Sequence, residues 1–235
     1  MQTVVALAGE IHDSALVRNA LTGADLIVAA DSGASRLRPL GFTPHVVIGD
    51  LDSLPGDDLF GLRAAGVEFA PHPAPEQRTD GDVAIELALQ RGATSVIVVG
   101  LLGGPRQDHA VANLYLLTHP SLREIPTWTV DGWTAITVLR GDGVREIHFH
   151  GSPGDYVSIT AVSEEVGGIT TVGLKWPLSN ATFKRGLGEG TSNELIADRA
   201  MIRIESGVAF ASHHFRSMRL PFSSSPRPAG GDVTQ

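Results

Sequence analysis

Short apolar runs rich in β-branched residues alternate with amphipathic stretches through the first half of the chain. A run over residues 3–8 is followed by a helical pattern over 14–21 and a second apolar run over 26–30. The rhythm continues with strand-like runs at 46–49, 67–70, 96–99 and 127–130, and helical patterns at 57–65, 80–90 and 107–117. Alternation of this kind predicts βαβ units. The strand-like runs are apolar almost throughout, as expected when helices cover both faces of a mainly parallel sheet.

Beyond about residue 132 the pattern changes to period-two runs at 134–139, 144–148, 156–161 and 201–205, separated by Gly, Pro and Asn. This predicts antiparallel β structure and places a domain boundary near 132–135. The expected organisation is an α/β domain over 1–132, an all-β domain over 133–216 and a tail over 217–235. The tail is rich in Ser, Pro and Gly and is expected to be disordered.

Composition narrows the function classes. With 42% hydrophobic and 19% charged residues among 235, the chain is typical of a water-soluble globular protein, and no apolar run reaches membrane-span length. Residues 1–8 enter a strand-like run without a basic segment or cleavage site, which argues against export. The absence of cysteine excludes disulfides, thiolate metal sites and cysteine nucleophiles, and fits a cytoplasmic protein. A formal net charge of -8 argues against nucleic acid as a partner. It also means that a phosphate ligand would need its charge offset, for which a divalent cation held by carboxylates is the usual device.

Asp31 directly follows the run 26–30, and Asp50 directly follows 46–49. Both are therefore expected at the carboxyl ends of parallel strands, the edge at which open α/β sheets bind ligands. Asp52 lies two residues beyond Asp50, and Asp80 opens a predicted helix. Four acids from three segments then converge on one rim, an arrangement that magnesium shared with nucleotide phosphates would neutralise. Each acid alone is equally explained by a turn or a helix cap.

The glycine-rich stretch 100–104 follows the run 96–99, where backbone amides can approach a phosphate. Arg106, Asp108, His109 and Asn113 lie just beyond, with His109 and Asn113 on one helical face. In the β half, Trp176 and the segment containing Ser192 and Asn193 offer a ring to stack on a cationic heteroaromatic group and polar atoms to orient it. A core Trp and a hairpin turn explain the same residues.

Taken together, 30–34, 49–53, Thr79-Asp80, 103–113 and 191–194 resemble the thiamine pyrophosphokinase family in order and spacing, over nearly residues 1–215. The resemblance implies an α/β catalytic domain, a carboxyl-terminal β-sandwich and a homodimer with thiamine sites near the subunit interface. It implies transfer of the terminal pyrophosphoryl unit of ATP to the thiamine hydroxyl, releasing AMP. Carried over by position, Asp31, Asp50, Asp52 and Asp80 would bind magnesium, with Asp50, Asp52 and Asp80 catalytic. Arg106, Asp108, His109 and Asn113 would form the nucleotide site, and Ser192, Asn193 and Trp176 the thiamine site.

Two features depart from the family pattern. Glu76-Gln77 and Asp82 stand where bacterial relatives commonly carry Lys-Asp and Glu, and Pro105 interrupts the Gly-Gly-Arg run. Alternatives remain: a pyrophosphokinase for another alcohol such as a pterin, or a non-catalytic nucleotide sensor of the same fold. The segment 50–53 is also similar to the nucleophile loop of haloacid dehalogenase phosphatases, although their downstream lysine and acidic motifs are not evident.

Overall fold

A computed structural model of the chain describes residues 1–70 and 78–216. Glu76, Gln77 and the tail 217–235 lie outside the described residues. In chain order the elements are β1 (Gln2–Ala6), α1 (Ala15–Thr22), β2 (Leu26–Ala30), α2 (Gly33–Leu37), β3 (Val46–Ile48), α3 (Gly56–Ala64), β4 (Glu68–Ala70), α4 (Asp80–Gln90), β5 (Ser95–Val99), α5 (Gln107–Leu116) and β6 (Thr127–Asp131). The β-rich part follows with β7 (Thr134–Arg140), β8 (Glu146–His150), β9 (Tyr156–Ala161), β10 (Glu165–Val172), β11 (Ala181–Lys184), β12 (Asn193–Glu194), β13 (Arg199–Arg203) and β14 (Val208–His214).

Ten strands form one sheet in the order β12-β9-β14-β7-β6-β5-β1-β2-β3-β4. From β6 to β4 every pairing is parallel. Side chains alternate across this part, and both faces are apolar. Val5, Val28, Val46 and Val98 pack with Val83, Ile85 and Ala88 of α4 on one face. On the other, Val4, Ile27, Val47 and Ile97 pack with Leu16 and Val17 of α1 and with Leu37 of α2. Each such buried aliphatic side chain contributes about 1.5–3 kcal/mol. That two-sided burial is why the strands read as continuous apolar runs. Helix α1 starts where Ser14 Oγ accepts from the Val17 N–H at 3.2 Å, a side-chain cap for an otherwise orphaned donor.

The expected boundary at 132–135 falls on the tight turn between β6 and β7, with Gly132 at φ 51. The sheet runs on across that turn. β7, β14, β9 and β12 extend it with antiparallel pairing. A second sheet, ordered β11-β10-β13-β8, packs over this extension to make the antiparallel sandwich. Its core joins Leu139, Val157, Ile159 and Ala211 of the long sheet to Phe149, Val166, Ile169 and Ile202 of the short one.

Some elements differ from the sequence expectation. β8 begins two residues later than predicted and β13 two residues earlier, because their mutual register pairs Met201 with His148 and turns Phe149, Ala200 and Ile202 into the core. β10 carries a bulge between Val166 and Ile169, at Gly167 and Gly168, and a glycine pair reads as a turn in sequence. Among the described residues no helix is long and apolar enough to cross a membrane.

Candidate active site

Asp31 stands one residue past β2, where the backbone turns left-handed (φ 45) while its N–H still donates to the Ile48 carbonyl at 2.8 Å. On the neighbouring strand end, Gly49 has φ 148, and a Cβ there would lie 2.9 Å from Asp31 Cβ. Only glycine lets the two strand ends close on each other in this way. Beyond it, Leu51 at φ 64 curls the segment back, so that the Asp52 N–H donates to Asp50 Oδ1 at 3.1 Å. Ser53 Oγ donates to Asp52 Oδ1 at 2.9 Å.

As a result, one carboxylate oxygen from each of Asp31, Asp50 and Asp52 lies within 4.8 Å of the other two. Asp31 is only 5% exposed, whereas Asp50 and Asp52 face solvent. Burial pushes the Asp31 carboxyl above its ordinary range, and the charges of Asp50 and Asp52 push the same way. Bonds from the Ser32 backbone and the Ser53 hydroxyl oppose them. Asp31 Oδ1 is buried and has no hydrogen-bond partner among the described residues. A buried oxygen without a donor, beside two further carboxylates, fits a hard divalent cation that takes oxygen ligands.

Asp31 and Asp50 line a cleft of about 590 Å³ whose lining also includes Asp80. Asp80 thus shares the cleft but stands outside the three-carboxylate group. It opens α4, whose start is fixed by a reciprocal cap. The Asp82 N–H donates to Thr79 Oγ1 at 3.2 Å, and the Thr79 N–H donates to Asp82 Oδ2 at 3.1 Å. Asp82 is therefore a helix-capping residue.

The glycine-rich turn after β5 has two uses. Gly9 and Gly100 let the loops after β1 and β5 meet backbone to backbone, with the Gly9 N–H donating to the Gly100 carbonyl at 2.9 Å. A Cβ on Gly100 would come 2.4 Å from the Leu7 carbonyl oxygen. Gly103 and Gly104 line the cleft, followed by Arg106, His109 and Asn113. Arg106 grips Asp108 with two bonds, 2.9 and 2.6 Å, and both side chains are exposed. The guanidinium holds the Asp108 carboxyl far below the usual carboxylate range. Asn113 Nδ2 donates to the Leu101 carbonyl at 3.4 Å and braces the turn.

Two basic residues on the cleft wall were not anticipated from sequence, Arg36 and Arg78. Arg78 is paired with Glu86 at 2.7 Å. Arg36 lies on the short helix α2 immediately behind Asp31, and a helix that begins at a strand end was the available signal. A second cleft, of about 580 Å³, opens on the α2 side and includes Glu10, His12 and Ser35 in its lining. Ser32, Arg36 and Ser53 line both clefts.

Ser192, Asn193 and Trp176 are brought together elsewhere. Asn193 Oδ1 accepts from the Trp176 N–H at 3.1 Å, and its Nδ2 donates to the Trp176 carbonyl at 2.7 Å. Trp176 is 54% exposed, with Lys175 Nζ 4.7 Å from its ring centroid. Ser192, at φ 60, donates its N–H to Ser158 Oγ at 3.0 Å. The pairings Asp131–Thr134, Thr134–His214, His214–Tyr156 and Tyr156–Glu194 put this group on the same sheet edge as the carboxylates. Yet β12 and β2 are seven strand steps apart in the sheet order, roughly 34 Å at the usual interstrand spacing. By strand count the two groups stand far apart along the sheet.

Comparison with known proteins bears on both groups. Residues 17–129 match the model of the thiamin pyrophosphokinase catalytic domain, and residues 145–209 that of the thiamin pyrophosphokinase vitamin B1 binding domain. A thiamine pyrophosphokinase of Bacillus subtilis is 27% identical over 183 residues, covering 78% of this chain and 84% of the relative. Thiamine pyrophosphokinase 2 of Arabidopsis thaliana is 29% identical over 206 residues, covering 78% and 75%. The crystal structure of the Bacillus subtilis enzyme superposes with a TM-score of 0.77 at 25% identity, over 92% of this chain and 100% of that one. The Geobacillus thermodenitrificans structure gives 0.76 at 29% identity, over 94% and 100%. With both family domains matched in order on a fold that solved members share, the chain belongs to the thiamin pyrophosphokinase family.

Proposed function

We propose that this protein transfers the terminal pyrophosphoryl group of ATP to the hydroxyl of thiamine, giving thiamine diphosphate and AMP. The acceptor oxygen forms a bond to the β-phosphorus, the bond from that phosphorus to the oxygen of the α-phosphate breaks, and the hydroxyl proton is given up to solvent. The observation that carries this reading is the convergence of Asp31, Asp50 and Asp52 within 4.8 Å, with a buried oxygen of Asp31 lacking a donor among the described residues.

These residues would hold Mg2+, with Asp80 contributing from elsewhere in the same cleft. A cation held there would shield the triphosphate and stabilise charge on the oxygen that leaves with AMP. His109 and Asn113 line the nucleotide cleft, and the Arg106–Asp108 fork stands at the start of α5, its arginine reaching the wall. Transfer of this kind depends chiefly on positioning and charge stabilisation, so a strong base is not required.

The thiamine ring would stack on Trp176, oriented by Ser192 and Asn193. Because that group is seven strand steps from the carboxylates, a second copy of the chain must supply it to each reaction centre. The working unit is then a homodimer, with each site built from the α/β part of one protomer and the β-rich part of its partner. The division at 132–135 would separate the nucleotide- and metal-binding part from the thiamine-binding part. A cysteine-free chain with this function fits the cytoplasm.

The test is AMP formation from ATP against a panel of alcohols. Thiamine-dependent AMP release supports the reading, release with a pterin alcohol redirects it, and binding without release would leave a sensor.

A further inference from the structure

Among the described residues three arginines line the nucleotide cleft, and they are not equivalent. Arg78 is committed to Glu86 at 2.7 Å and Arg106 to Asp108 at 2.6 Å. Arg36 has no carboxylate partner among the described residues. Its Nε donates to the Ala8 carbonyl at 3.1 Å, which leaves the two terminal nitrogens of the guanidinium for other acceptors.

The backbone beneath Arg36 is fixed. Gly33, at the start of α2, packs so closely on β1 that a Cβ would lie 2.2 Å from the Ala6 carbonyl oxygen. Leu37 is fully buried beside it. Arg36 itself is exposed and lines both clefts, so it stands at the passage between them. Charge balance points the same way. Three carboxylates around one divalent ion leave a net negative charge, and a phosphate chain entering there adds more. An unpaired, oriented guanidinium is the group that offsets it, and its planar fork matches phosphate oxygens.

We propose that Arg36 is a catalytic residue that grips the pyrophosphoryl group where it passes from the nucleotide cleft to the acceptor on the α2 side. This rests on the pyrophosphokinase reading for its reaction, but its anion-binding half can be measured without turnover. The neighbouring Arg38 supplies a control. It lies on the same segment, is salt-bridged to Asp58, and lines neither cleft.

Binding of inorganic pyrophosphate in the presence of Mg2+ is measured by calorimetry for the full chain and for Arg36→Ala, Arg36→Gln, Arg36→Lys and Arg38→Ala. Loss of a charge-assisted contact predicts at least about tenfold weaker binding in Arg36→Ala and Arg36→Gln. Arg36→Lys recovers part of it, and Arg38→Ala matches the unsubstituted protein. With ATP and thiamine, kcat/KM for ATP falls about 10²-fold in Arg36→Ala, mostly through kcat, while the melting temperature stays within about 2 °C.

Pyrophosphate binding in Arg36→Ala within about twofold of the unsubstituted protein overturns the proposal. An equal loss in Arg38→Ala overturns it too, since the effect would then be one of general charge. If the unsubstituted protein binds pyrophosphate but releases no AMP with thiamine, the acceptor reading fails, and the comparison of variants still decides the role of Arg36.

Discussion

The side-chain amide of Asn193 satisfies both backbone groups of Trp176, accepting from its N–H at 3.1 Å and donating to its carbonyl at 2.7 Å. The same oxygen also accepts from the Glu194 N–H at 2.9 Å. An exposed tryptophan is therefore held by its backbone, with Lys175 Nζ over its ring. Asn193→Ala removes these bonds, each contributing about 0.5–1.5 kcal/mol. The KM for thiamine should rise about tenfold while the KM for ATP stays unchanged, as read from initial rates with each substrate varied.

The distance between Trp176 and the carboxylates makes a stronger prediction. If two chains share each site, as proposed, Asp50→Asn and Trp176→Ala should each inactivate the enzyme from opposite ends of it. Unfolding and refolding the two variants together forms mixed dimers, in which one of the two sites carries both substitutions and the other carries neither. Activity of about a quarter of the unsubstituted enzyme should return. No recovery from the mixture, with dimers present, would place each site within a single chain.

His213 and Asp155 form a buried pair, Nε2 to Oδ2 at 3.1 Å, both 2% exposed. Asp155 also accepts from the Ser152 and Arg216 N–H groups, so it ties the end of β14 to the turn before β9. Burial lowers the His213 pKa below its ordinary 6.5, aided by His214 and opposed by the bond to Asp155. The imidazole is thus neutral in the fold, while the unfolded chain takes up a proton first as pH falls. Its stabilising effect is complete above 6.5 and is lost as pH drops from 6.5 through the folded value. At pH about 5.5 the loss is at most about 1.4 kcal/mol, or about 3–6 °C in melting temperature. His213→Gln, which retains a donor, should flatten that decline in thermal melts between pH 7.5 and 5.5. An unaltered slope would remove His213 as its source.

Much of this was readable in the chain. The parallel half declared itself because strands buried on both faces, such as 26–30, are apolar at every position. Asp31 and Asp50 could be placed at strand ends for the same reason. Arg36 was not found, because α2 has only five residues and no apolar periodicity long enough to register. β12 has two residues and owes its existence to pairing with β9, and β10 hides behind a glycine bulge. The sheet running unbroken through the turn at Gly132 was likewise invisible, since local pattern reports the change from parallel to antiparallel pairing but not whether the strands on either side share a ladder.

The proposed activity requires the three carboxylates to act together on a nucleotide's phosphates. The most direct measurement is thiamine-dependent AMP release from ATP at saturating Mg2+, for the unsubstituted chain, Asp50→Asn and Asp52→Asn, each checked for an unchanged fold by circular dichroism. Both side chains are exposed, so the fold should survive, and each substitution removes charge at the centre. A fall of at least about 10³-fold in kcat is expected for both. Near-normal AMP release in both variants would contradict a role for the carboxylate group in the transfer.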